Sequence, residues 1–199
     1  MNEVTVNFIE DLKNKCKKHG MTLSLVSKSK VKCGEFYLSG YFDPETMELA
    51  VATKRKISEW LPVIVHESCH LDQMIAGCDA WTKCGDAGEV IDDWLNGKDF
   101  TESRVKRAFK LTVDMELDCE KRTVDKIKEF GLPISTDSYI QSANLYMHFH
   151  NWCKINRKWV PKHKKLIQKP LTDIMPTKFQ RSYKTTSQDI LDAITNHLS

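Results

Sequence analysis

The chain has no C-x-x-C pair, no internal repeat, no low-complexity stretch and no apolar run long enough to cross a bilayer. Each absence excludes something. Without C-x-x-C spacing there is no zinc-ribbon signature. The odd set of seven cysteines (Cys16, Cys33, Cys69, Cys78, Cys84, Cys119 and Cys153) does not read as a disulfide framework. The expectation is reduced, partly buried thiols in a cytosolic setting. Cys78 and Cys84 bracket a short loop and are the pair that oxidation could join. The apolar run over residues 60–65 is far too short to span a membrane. The opening MNEVTVNFIEDLKNK carries Glu3 and lacks an apolar segment with a cleavage site, so it does not read as a signal peptide. A cytoplasmic protein with no membrane partner is expected.

What is present is an ordinary globular composition. The 199 residues suit one domain with a real core, and 41% apolar with 29% charged residues argues against wholesale disorder. Net charge is only +3, but it is uneven: residues 154–184 carry ten Lys and Arg against Asp173 alone. Such a run is usually a solvated face. The sharper reading is an electrostatic surface for nucleic acid or an acidic partner, with Trp152 and Trp159 either stacking on bases or packing in the core.

Periodicity orders the elements. Phe8, Ile9, Leu12 and Cys16 recur at helical spacing, and Gly20 stops that first helix. TLSLVS, EFYLSGYF and MELAVAT read as three short strands, the last two joined across Asp43-Pro44-Glu45-Thr46 as an antiparallel hairpin. Ser58 is the expected cap of a helix running to about Met74, with Pro62 near its first turn. After a Gly- and Asp-rich stretch, Thr101 or Ser103 starts a long helix ending at Phe130-Gly131. Ser135 or Thr136 caps the next, and a last helix follows Ser187, with Ile190, Ile194 and Leu198 on one face.

The chemistry sits in LPVIVHESCHLDQM, which contains His66, Glu67 and His70 as H-E-x-x-H. On a helix, His66 and His70 are one turn apart and can direct both imidazoles at one ion. Glu67 flanks them, where a carboxylate can hold a water and take its proton. The bland alternative, a satisfied core histidine, suits either His alone better than the pair. A catalytic zinc site needs a third protein ligand. Glu116 and Glu120 lie one turn apart on a helix stripe with Phe109, Val113, Val124 and Ile127. Carboxylates on an apolar stripe need a partner, which a metal and its histidines would provide. The competing explanation is a salt-bridged or edge-exposed pair, with Arg104, Lys121 and Arg122 at hand.

H-E-x-x-H followed by E-x-x-x-E on a second helix resembles the gluzincin branch of zinc metallopeptidases, and the element order is similar to compact phage and bacterial regulatory peptidase domains. The resemblance implies one zinc ion held by His66, His70 and Glu116, with Glu120 orienting a ligand histidine. ELDCEKR looks like the family's E-x-x-A-D-R, with Cys119 in place of Ala and Glu120 in place of Asp. The resemblance covers roughly residues 1–130; an α+β fold is expected, a small antiparallel-type sheet of about three strands packed on the two motif helices, with a helical C-terminal part. Residues 1–132 would form the zincin-like catalytic domain, with 76–103 as an insert, and 133–199 a basic helical extension packed on it. The metzincin extension is absent, since no Gly and third His follow His70 at the required spacing.

The function expected is hydrolysis of peptide bonds by metal-activated water, with Glu67 as general base. Tyr146 and His150, one turn apart, are candidate oxyanion donors, though packing a helix face explains them equally. MELAVAT, if at a sheet edge, would align an extended substrate. The alternatives are a zincin-fold binding module without activity, and a nucleic-acid-associated protein acting through residues 154–184.

Overall fold

A computed structural model of the chain describes residues 1–160 and 170–198. The fold is α+β, with a three-stranded sheet, a two-stranded hairpin and a helical C-terminal part. Residues pack into two compact units. The first comprises Met1–Cys78 with Lys121–Ile134; the second comprises Asp79–Glu120 with Ser135–Ser199. Among the described residues no helix is long and apolar enough to cross a membrane.

In the first unit, α1 (Glu3–Lys18) starts where the Asn2 side chain accepts a hydrogen bond from the Thr5 amide at 3.0 Å. It buries Thr5, Phe8, Ile9, Leu12 and Cys16, the face its periodicity predicts. The strands are β1 (Thr22–Val26), β2 (Val31–Cys33), β3 (Phe36–Leu38), β4 (Gly40–Asp43) and β5 (Glu48–Ala52). The sheet order is β1-β5-β4, with β4–β5 antiparallel and β1–β5 parallel. The antiparallel-type expectation therefore holds for the hairpin only. β1 and β5 are separated by the β2–β3 hairpin and β4, a connection long enough to return the chain in the same direction.

EFYLSGYF is not one strand. It breaks at Ser39: β3 pairs with β2, whereas β4 pairs with β5. β5 is the central strand, so MELAVAT is not a sheet edge; β1 and β4 are the edges. Central position explains its composition. Leu49, Ala50, Val51 and Ala52 are all buried, as a strand covered on both faces requires. The Asp43 carboxylate fixes the hairpin turn, accepting from the Glu45 amide at 2.9 Å and the Thr46 hydroxyl at 2.7 Å.

The H-E-x-x-H helix, α2 (Ile57–Ala76), begins one residue before Ser58, so Ser58 lies inside it and no side chain caps it. Pro62 stands inside the helix rather than in its first turn. Gly77 ends it at φ 54°, a left-handed conformation that suits glycine. β4 lies tight on α2: a Cβ at Gly40 would come within 2.7 Å of Val63 Cγ1. Lys126, on the last turns of α5 (Glu102–Phe130), donates to Ser68 Oγ at 2.8 Å and to the Asp72 carboxylate at 2.7 Å. Lys15 of α1 reaches the same carboxylate at 3.0 Å. This network ties α1, α2 and the end of α5 together.

The second unit holds α3 (Asp79–Cys84), α4 (Ala87–Leu95), the first part of α5, α6 (Thr136–Asn156), a 3-10 turn (Thr172–Ile174) and α7 (Gln188–Leu198). Its core joins Val90, Ile91, Phe109, Leu145, Phe149, Trp152 and Ile194. Thr101 and Ser135 cap α5 and α6, accepting from the Arg104 and Ser138 amides at 3.3 Å each. α3 and α4 fill the Gly- and Asp-rich stretch. Both are too short to stand alone; the packing of Val90 and Ile91 stabilises α4, while α3 buries no residue and meets that core through the partly buried Cys84.

Candidate metal centre

α2 presents the motif from a buried segment. Ile64 and Val65 are fully enclosed, His70 is buried, and His66 and Glu67 are half-buried. One helical turn brings the two Nε2 atoms to 3.1 Å, with the rings nearly perpendicular at 87°. Two nitrogens each about 2.0–2.1 Å from a tetrahedral ion would sit about 3.3 Å apart, so this spacing fits a shared ion.

The other nitrogen of His70 is already committed. Its Nδ1 lies 2.8 Å from Oε1 of the fully buried Gln73. An amide oxygen there favours the Nδ1–H tautomer and leaves the Nε2 lone pair for a metal. Sequence reasoning missed Gln73, although its position three residues after His70 was open to view.

Ligand atoms of His66, Glu116 and Glu120 all lie within 4.8 Å of one another. His66, His70 and Cys119 form a second such group. His66 is common to both groups, and neither group holds His70 together with Glu116. Two imidazoles with a carboxylate or a thiolate are both established zinc donor sets. The residues therefore fit a divalent cation. Cys119, which stands where the family pattern has Ala, is fully buried on the same helix.

Glu120 is 6% exposed and its carboxylate accepts a hydrogen bond from the Tyr139 hydroxyl of α6. That contact holds Glu120 in one orientation, as befits an acid that positions another group. Glu67 belongs to neither ligand group among the described residues. Its field acts on Cys33, whose thiol is pushed up first by burial and then by Asp43, Glu48 and Glu67.

Tyr146 and His150 stack edge-to-face at 4.8 Å on α6 and join neither ligand group among the described residues. His148 is a satisfied core histidine: its Nδ1 meets Thr186 Oγ1 at 2.9 Å, its Nε2 meets Gln180 at 3.0 Å, and burial lowers its pKa. Of the basic run, residues 161–169 lie outside the described residues. Within it, Arg157 donates to the Trp94 carbonyl at 3.0 Å and stacks on that indole. Trp152 is core, and its Nε1 donates to Thr195 at 2.9 Å.

Comparison with known protein families, with curated proteins and with solved structures finds no match for this chain.

Proposed function

We propose that the protein is a zinc-dependent peptidase of gluzincin type, with His66, His70 and Glu116 as ligands. The observation that carries the reading is the 3.1 Å approach of the two imidazole Nε2 atoms with glutamates of α5 in ligand range. A divalent ion held there supplies Lewis acidity toward a carbonyl and lowers the pKa of water to about 7. The protein's own residues do the rest. Gln73 keeps His70 in the ligating tautomer. Tyr139 holds Glu120, which orients a ligand imidazole or neighbouring carboxylate. Glu67 accepts the proton of the attacking water and passes it to the leaving amine. The edge strand β4, packed on α2 through Gly40, aligns an extended substrate by strand addition. Tyr146 and His150 are the candidates for steadying the developing oxyanion.

The test is metal content and peptide-library turnover of wild type and Glu67→Gln, purified without a chelating column. One zinc per chain is expected in both, with turnover reduced about 10²–10⁴-fold in the variant. Loss of zinc in Glu67→Gln would make that residue a ligand. Stoichiometric zinc with no turnover in wild type would replace the peptidase by a metal-bearing binding module.

A further inference from the structure

The parallel pairing of β1 with β5 has a chemical result away from the histidines. Val26 and Ala52 are register partners at the end of the ladder, so both strands exit at the same end of the sheet. The segment after β1 is Ser-Lys-Ser-Lys and the segment after β5 is Thr-Lys-Arg-Lys. Backbone hydrogen bonds hold them together: Thr53 N to Val26 O at 2.8 Å and Lys54 N to Lys28 O at 3.2 Å. A groove of about 410 Å³ opens there, lined by Ser27, Lys28, Ser29, Lys30, Lys54 and Tyr37.

The lining has three ammonium groups, two serine hydroxyls, one phenol and no carboxylate. Glu35, at the hairpin tip, is the only acid between Ser27 and Phe42, and none occurs from Thr53 to Ser58. Nearby, Arg55 has Nε and one Nη enclosed with no hydrogen-bond partner among the described residues. Among the described residues, these cations meet at the groove with no carboxylate in its lining.

The aromatic component follows from the β2–β3 register. Val31 is paired with Leu38 and faces Ala50 and Ala52, so Lys30, Lys32 and Tyr37 lie on the opposite face. Tyr37 is 67% exposed, and Phe36 at the tip is 69% exposed. Large aromatics left in water beside a cationic groove match the stacking platforms that bind single-stranded nucleic acid. Phosphates meet lysines there, and a base covers a ring.

We propose that this groove binds single-stranded nucleic acid through Lys28, Lys30 and Lys54, with a base stacked on Tyr37. The inference is independent of the metal reading. Phosphates neutralised by three lysines predict a log–log salt slope of about −2.

The experiment is fluorescence anisotropy of the full chain with labelled oligo(dT) and oligo(U), across a salt series. Duplex DNA, polyglutamate and phosphatidylserine vesicles serve as comparison probes. Variants are the triple Lys28→Ala/Lys30→Ala/Lys54→Ala and the single Tyr37→Ala, both at exposed or half-exposed positions, with circular dichroism to verify folding. The triple variant is expected to weaken single-strand binding at least tenfold and flatten the slope. Tyr37→Ala should weaken it at least fivefold without changing the slope. Binding unchanged in the triple variant would move it to residues 154–184 and overturn the proposal. So would duplex or vesicle binding as tight as single-strand binding together with a silent Tyr37→Ala, because the patch would then be a general polyanion surface. Absence of single-strand binding at low salt overturns it outright.

Discussion

Replacing Gln73 by Leu removes the acceptor that faces Nδ1 of His70 at a fully buried position. Gln73 is 0% exposed and its Oε1 lies 2.8 Å from His70 Nδ1. A buried N–H left unsatisfied costs about 1–3 kcal/mol, and the ring can relieve that cost by moving its proton to Nε2. That proton then blocks the metal. The affinity lost should match the usual value of an outer contact to a ligand imidazole, about 10–100-fold, or about 1.4–2.8 kcal/mol. Gln73→Glu keeps an acceptor at the same place and raises the basicity of the imidazole, so it should bind zinc at least as tightly as wild type. The assay is competition with a chromophoric chelator at fixed pH, alongside thermal unfolding of each metal-free protein. A Gln73→Leu protein that is folded and binds zinc with undiminished affinity would refute the tautomer argument, and with it the assignment of His70 Nε2 as a ligand.

Three further outcomes are expected. Glu116→Ala should lose zinc more completely than Glu120→Ala in the same titration; the reverse ranking would exchange ligand and positioning acid. In the cobalt-substituted protein, an intense near-ultraviolet charge-transfer band that disappears in Cys119→Ser would identify a thiolate ligand, whereas its absence supports the carboxylate set. Lys126→Met should destabilise the fold by about 1–3 kcal/mol, because it strips a half-buried carboxylate of its nearest cation and leaves Lys15 as its partner among the described residues. Asp72 is held below its ordinary pKa: burial raises it, but Lys126 and Lys15 together outweigh that. Its contribution is therefore complete above the unfolded-state value of about 3.9 and is lost as pH falls through the lower folded-state value. Chemical unfolding of wild type and Lys126→Met should show the gap between them narrowing at acid pH; a gap constant down to pH 2 would contradict the ion-pair account.

Much of the candidate site is local, and local structure was legible. His66 and His70 share a helix face because 3.6 residues make a turn, whatever surrounds them. The buried positions Phe109, Val113, Val124 and Ile127 on α5 were readable for the same reason, as were the caps at Thr101 and Ser135. Glu116 and Glu120 could be selected because acids on such a stripe need partners. Gln73 was equally local and was overlooked. Ser58 is a good cap by type, yet α2 begins at Ile57 with no side-chain cap.

What the sequence by itself determined is therefore periodic: which segments are helices, which faces are apolar, and which donors repeat at one turn. What only the tertiary structure decided is pairing. Nothing in EFYLSGYF says that it divides at Ser39 between two sheets, or that β5 is central and β4 an edge, since hydrogen-bond partners are chosen across dozens of residues. The parallel alignment of β1 with β5 is of the same kind. Two short lysine-bearing segments, each unremarkable as a solvated loop, become one cationic groove because both strands run the same way and end together.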